Sequence, residues 1–222
     1  MNNKVTVIDY GMGNLHSIKR AIEHVGGDPE ITDDLSKVTS ADRLLLPGVG
    51  AFGTGISTLR EMGMMDAVYS FCEKERPLLG ICLGMQLLFK ESFEFGHHTG
   101  LNLIQGKVIG LEGPQPGSAV FKIPHIGWNM IDFPTNSSNP SVPYTWQGTI
   151  FDGLTCGKYF YFVHSFICIP DNSETILAES LYGHNRFCSA VVQDNLWGCQ
   201  FHPEKSGVLG LHIYKNFLNG IL

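Results

Sequence analysis

Along the first half of the chain, hydrophobic positions recur on two different periods. Residues 5–8 form a short apolar run. After a turn at Gly11 and Gly13, the apolar positions Leu15, Ile18, Ile22 and Val25 follow at the spacing of one helix face. Asn14 stands before this face as an N-cap, and Gly26 and Gly27 close it. Residues 29–32 and 43–46 predict two more strands. Pro47-Gly48-Val49-Gly50 predicts a turn, and a helical stretch then runs to residue 75. Residues 78–81 read as a fully buried strand and residues 83–91 as the helix after it. Short apolar strands alternating with helices predict a parallel sheet covered on both faces.

The second half has another texture. Residues 107–150 are dense in Pro, Gly, Ser and Asn, with a short strand at 128–131. A surface excursion over 132–148 carries Pro134, Pro140 and Pro143. Strands at 158–163, 175–181, 189–193 and 196–201 follow, antiparallel in character. A last helix over 207–218 presents Val208, Leu211, Tyr214 and Leu218 on one face, with Ser206 near its cap. There is no internal repeat, and the loop near 135 marks no boundary. The expected architecture is therefore α/β: a mostly parallel central sheet with helices on both faces, plus a smaller antiparallel sheet region, in one domain spanning 1–222.

Composition narrows the function classes. Hydrophobic residues make up 43% and charged residues 16%, which predicts a well-covered core. The net charge of −6 comes from 15 basic and 21 acidic side chains scattered along the chain. No Lys/Arg cluster offers a nucleic-acid or membrane footprint, so neither partner is expected. The N-terminus enters a strand within a few residues without a signal-peptide pattern, and no run of about 18 apolar residues exists to span a bilayer. The six cysteines form no C-x-x-C pair, which predicts free thiols and a cytoplasmic location. His97, His98, His125 and His164 lack metal-ligand spacing, so no metal is expected, and no cofactor. Gly11-Met12-Gly13 lacks the third glycine of a dinucleotide loop, position 16 being His, and reads as a tight strand-to-helix turn.

Two segments carry candidate chemistry. In Gly80-Ile81-Cys82-Leu83-Gly84 an apolar run ends at a glycine, a cysteine follows, and a second glycine opens a helical pattern. This is the sequence form of a strand-to-helix elbow that presents a nucleophile. Most unpaired cysteines are small buried hydrophobes; the paired glycines favour a thiolate activated by a helix start and a nearby imidazole. His202-Pro203-Glu204 supplies imidazole and carboxylate two residues apart. Proline biases the residue before it toward extended backbone, where positions i and i+2 point the same way. Glu204 can then hold the tautomer of His202.

These two segments resemble the two halves of a class I, triad-type glutamine amidotransferase. Residues 10–15 (Tyr-Gly-Met-Gly-Asn-Leu), 124–129 (Pro-His-Ile-Gly-Trp-Asn) and 161–166 (Tyr-Phe-Val-His-Ser-Phe) narrow the likeness to the glutaminase subunits of imidazole glycerol phosphate synthases. The resemblance covers nearly the whole chain. It implies hydrolysis of L-glutamine, with Cys82 as nucleophile, His202 as proton shuttle and Glu204 as its orienter. It implies an oxyanion hole from the backbone of Leu83 and of the Pro47–Gly50 segment, at Val49 and Gly50, incomplete at rest. It implies substrate contacts at Gln86, Glu94, Ser165 and Phe166, a structural place for His164 beside the site, and a partner interface at Asn14 and Trp128. Position 166 departs from the tyrosine of the family pattern, and the segment around Phe93 and Phe95 is more aromatic than usual. The implied partner is a cyclase subunit with a (β/α)-barrel fold, forming a heterodimer that serves histidine biosynthesis. Other readings are a paralogous glutaminase feeding a different synthase, such as a sugar amidotransferase, a stand-alone γ-glutamyl hydrolase, and a non-catalytic interaction protein on the same fold.

Overall fold

The computed structural model describes residues 3–115, 120–135 and 145–220. The first half runs β1 (Lys4–Ile8), α1 (Leu15–His24), β2 (Asp28–Thr32), α2 (Leu35–Ser40), β3 (Leu44–Leu46), α3 (Phe52–Glu61), α4 (Met64–Cys72), β4 (Leu78–Ile81) and α5 (Leu83–Leu87). Then come β5 (Phe89–Ser92), β6 (His98–Thr99), β7 (Ile104–Gly110), β8 (His125–Ile131), β9 (Lys158–His164) and β10 (Phe166–Pro170). β11 (Ile176–Tyr182), β12 (Asn185–Gln193), β13 (Leu196–Cys199) and α6 (Gly207–Asn219) complete the chain.

The large sheet has the order β2-β1-β3-β4-β13-β12-β10-β7-β5-β6, with β11 also paired to β12. From β2 to β13 all neighbours are parallel. Beyond β13 the pairings turn antiparallel, except β5 with β7. The period-2 alternation of buried strands sorts side chains to the two faces. Val5, Val7, Leu45, Leu79 and Ile81 pack toward α1 and α6; Ile8, Leu44, Leu46 and Leu78 pack toward α2, α3 and α4. Among the described residues β8 and β9 pair with each other as a separate antiparallel ribbon. The expected architecture of a central, largely parallel sheet and a smaller antiparallel region is thus observed.

Several boundaries differ from the sequence reading. The helix expected over 83–91 stops at Leu87, because Phe89–Ser92 pairs with β7 and buries Phe89. A long-range strand pairing here overrides a segment of good helix formers. The helical stretch to residue 75 is two helices, broken at Gly63, whose φ of 69° only glycine adopts freely. On α6 the buried face is Gly210, Ile213, Tyr214, Phe217 and Leu218, while Val208 is 81% exposed. A glycine carries no hydrophobic signal, yet Gly210 is where this helix makes its closest contact: an added Cβ would lie 1.9 Å from the Pro203 carbonyl oxygen. The excursion expected over 132–148 is anchored by Trp146, buried and donating to the Leu177 carbonyl at 2.8 Å. Pro140 and Pro143 lie outside the described residues. α2, β5, β6, β7 and β10 were not anticipated.

Candidate active site

Cys82 lies between β4 and α5 with φ 55° and ψ −110°, a strained conformation for a residue with a side chain. Tight backbone packing holds it there. A Cβ on Gly84 would sit 1.9 Å from the Leu46 carbonyl oxygen, and one on Gly80 would sit 2.8 Å from the Gly84 backbone. The Cys82 N–H donates to the Cys199 carbonyl of β13 at 2.7 Å. The elbow expected from the two glycines is the elbow observed.

The Pro47–Gly50 segment runs alongside. Tyr10, buried, donates its hydroxyl to the Pro47 carbonyl at 2.8 Å. An added Cβ on Gly48 would lie 2.6 Å from that hydroxyl and 2.8 Å from Leu83 Cβ. Gly50 takes φ 107° under Met12. The Leu83 N–H donates to the Gly48 carbonyl at 3.3 Å.

His202 leaves the sheet in extended conformation, with φ −101° and ψ 99°. Its Nδ1 lies 2.8 Å from Glu204 Oε1, and both side chains are almost wholly buried. The carboxylate arrives by a different route from the one expected. Residues 203–205 form a 3-10 turn, and the turn, not a continued strand, brings Glu204 under the imidazole. The Ser206 hydroxyl donates to the His202 carbonyl at 2.6 Å and accepts from the Tyr161 N–H at 3.0 Å. Burial alone would push the imidazole pKa down; hydrogen bonds with Cys82 and Glu204 and their charges outweigh it and raise it to about 10.

Cys82, Leu83, Val49, Gly50 and His202 share a cavity of about 580 Å³ with every expected substrate residue. Gln86 Nε2 donates to the Phe166 carbonyl at 3.2 Å and to Gln200 Oε1 at 3.0 Å. Gln200, wholly buried, also points Nε2 at Cys82 Sγ, 3.8 Å away. Gln200 is a site residue with no local sequence signal of its own, one amide at the end of a buried strand. Glu94 lines the cavity while its Oε2 accepts from the Phe52 N–H at 2.5 Å, capping α3. Ser165 and Phe166 form the opposite wall. Both side-chain hydrogen bonds that reach Phe166 among the described residues use its carbonyl, so a phenylalanine keeps them.

His164 sits beside the site. Its Nδ1 lies 3.0 Å from the Phe166 carbonyl, and its Nε2 lies 2.9 Å from His125 Nδ1. A carbonyl only accepts, so His164 carries its proton on Nδ1 and His125 donates to the bare Nε2. Burial lowers both, His125 to about 4 and His164 to about 3, and the neighbouring His125 presses His164 further down. His97 pairs with Glu91 at 2.8 Å, and His98 with the Glu94 carbonyl at 3.0 Å. Asn14 caps α1, accepting from the Ser17 N–H at 3.4 Å. Trp128 is 56% exposed on the ribbon, with Ile126, Met130 and Tyr159 exposed on the same face. All six cysteines carry free thiols. Among the described residues no helix is long and apolar enough to cross a membrane.

The family described as glutamine amidotransferase class-I matches residues 6–221. The chain is 46% identical over 214 residues to the imidazole glycerol phosphate synthase subunit HisH of Syntrophotalea carbinolica, covering 96% of this chain and 98% of that one. It is 44% identical over 213 residues to the subunit of the same name from Wolinella succinogenes, covering 96% and 98%. Among solved structures, a glutamine amidotransferase superposes with a TM-score of 0.69 at 20% identity, covering 96% of this chain and 97% of that one. PurLQS from Thermotoga maritima superposes with a TM-score of 0.68 at 18% identity, covering 99% of both chains. At those identities the structural likeness speaks for the fold.

Proposed function

The chain belongs to the class-I glutamine amidotransferases, and from that premise we propose that it is the glutaminase subunit of an imidazole glycerol phosphate synthase, freeing ammonia from L-glutamine for histidine biosynthesis. The observation that carries this reading is the meeting of Cys82 and His202 at one cavity, with Glu204 behind the imidazole and His202 held protonated near neutral pH.

The chemistry follows from that charge state. Sulfur attacks the side-chain amide carbon of glutamine in the thiolate form, the form in which a thiol is nucleophilic, beside the charged His202. A tetrahedral oxyanion forms, His202 gives its proton to the departing nitrogen, and ammonia leaves a thioester on Cys82. Water then attacks the thioester, His202 accepts the water proton, and glutamate departs with Cys82 restored. Glu204 keeps the imidazole oriented and favours its charged form throughout.

The oxyanion needs donors. Leu83 N–H is placed for the task but donates to the Gly48 carbonyl. That carbonyl and the Val49 N–H belong to one planar peptide. Turning the peptide, which is cheap between Gly48 and Gly50, frees Leu83 and swings the Val49 N–H toward the cavity. One missing oxyanion donor costs about 2.7–4 kcal/mol in comparable acyl-transfer sites, so the resting chain should turn over slowly. The partner that favours the turned peptide is a cyclase subunit with a (β/α)-barrel fold, docking as a heterodimer through Trp128 and the Asn14 loop. The exposed apolar face of the ribbon supports a docked subunit over a stand-alone hydrolase.

The test is ammonia release from glutamine by the chain with and without the cyclase subunit and its substrate. Stimulation by both, abolished in Cys82→Ala with the fold intact, is expected. Undiminished turnover in Cys82→Ala sinks the mechanism, and a stand-alone rate that the cyclase does not change sinks the subunit assignment.

A further inference from the structure

Glu204 uses one carboxylate oxygen on His202; the other, Oε2, is buried and has no hydrogen-bond partner. A buried carboxylate oxygen without a donor is costly. The hydroxyl of Tyr214, on the buried face of α6, is likewise buried and, among the described residues, without a partner of good geometry. The two side chains lie within each other's electrostatic reach, and the carboxylate, with burial as the larger cause, holds the phenol far above its ordinary range. The helix is brought close by design of the backbone. Gly210 faces the Pro203 carbonyl, its N–H donates to the Ser206 carbonyl at 3.3 Å, and Tyr214 follows one turn later on the same face. A phenol that burial keeps protonated is a donor, and a carboxylate oxygen is an acceptor.

We propose that Tyr214 is a positioning residue whose hydroxyl donates to Glu204 Oε2, making the site a relay of four residues, Cys82–His202–Glu204–Tyr214. Its part in the reaction is indirect. Held at one oxygen by His202 and at the other by Tyr214, the carboxylate cannot rotate away from the imidazole. Of the groups around Glu204, His202, Tyr214 and Cys199 interact with it directly; α1 turns His16, Lys19, Arg20, Glu23 and His24 to solvent, and Lys205 reaches over the Tyr161 ring of β9.

This inference rests on the glutaminase reading, and the experiment separates the two. In the complex with the cyclase and its substrate, Tyr214→Phe keeps the ring and removes only the oxygen. Without that donor the carboxylate can turn away from His202, so the alkaline limb of the kcat–pH profile, where His202 loses its proton, moves to lower pH. At neutral pH kcat drops about tenfold, the scale of one lost hydrogen bond to a buried charge, while the KM for glutamine stays unchanged. 3-Fluorotyrosine at position 214, a stronger donor, holds the carboxylate more firmly against His202 and moves that limb the other way, and this arm decides the matter if Tyr214→Phe fails to fold. A lowered melting temperature with unchanged kcat and pH profile, or no shift with 3-fluorotyrosine, assigns Tyr214 to packing alone and overturns the proposal. A wild-type complex that releases no ammonia overturns the glutaminase reading instead.

Discussion

The two walls of the cavity hold histidines in opposite charge states. His202 is 3% exposed and His164 is 6% exposed, yet the first is raised to about 10 and the second lowered to about 3. Burial pushes both imidazoles toward neutrality; the partner decides the outcome. His202 has a carboxylate 2.8 Å from Nδ1 and a thiol on its other side, so its charged form wins. His164 has a carbonyl and another imidazole, neither of which can repay the loss of hydration. One wall stores a proton for chemistry, and the other is a neutral frame that holds the Phe166 carbonyl in place for Gln86.

The largest break in this contrast is Glu204→Gln. Without the carboxylate, His202 loses much of its reason to be charged, and turnover in the complex should fall by about 10²–10⁴, the usual range for disabling acid–base catalysis. Single-turnover ammonia release measures it, and a loss below tenfold would show that Cys82 alone keeps the imidazole charged. Next is His164→Leu, which strips a donor from the Phe166 carbonyl and an acceptor from His125. About 2–3 kcal/mol of unfolding free energy should be lost, with a raised KM for glutamine; denaturant titration with an unchanged midpoint would contradict it.

A pH series sharpens the comparison further. His202 has a folded value near 10 against an ordinary 6.5, so the stability it contributes is complete below about 6.5 and drains as pH climbs toward 10. His125 and His164, near 4 and 3, contribute fully above about 6.5 and lose their share as pH falls toward those values. Stability should therefore decline on both sides of neutrality. Glu204→Gln should flatten the alkaline decline, and His164→Leu the acid one; a limb that responds to the opposite mutation would reverse the assignment. The smallest effect on the fold belongs to Trp128→Ala, because the side chain is 56% exposed. Its stability should change by less than about 0.5 kcal/mol, while stimulation by the cyclase subunit falls; a variant stimulated like the wild type would move the interface elsewhere.

What could be read from the chain divides along the same line. The parallel strands β1, β3 and β4 are short apolar runs, a local signal, and they fell where expected, as did β2, whose Asp28-Pro29-Glu30-Ile31-Thr32 carries a single large apolar side chain. The elbow at Cys82 was legible because its two glycines answer to backbone contacts a Cβ would forbid. β5 was hidden because Leu87-Leu88-Phe89-Lys90-Glu91 has the composition of a helix, and residues 89–92 become a strand through pairing with β7 and β6. His202 and Glu204 were visible as a pair, but the turn that joins them was not, since Pro203 is compatible with both an extended and a 3-10 continuation. Gln200 and Tyr214 were invisible as site residues because nothing local distinguishes a buried polar group that serves a neighbour from one that packs.

The Gly48 carbonyl has a kinetic consequence. An oxygen of the chain itself occupies the Leu83 N–H where the substrate oxyanion would bind. Any tetrahedral mimic of the reaction must therefore wait for that peptide to turn before it binds tightly. Inhibition should set in slowly, with a limiting rate constant common to chemically different mimics, because that constant describes the protein's own motion.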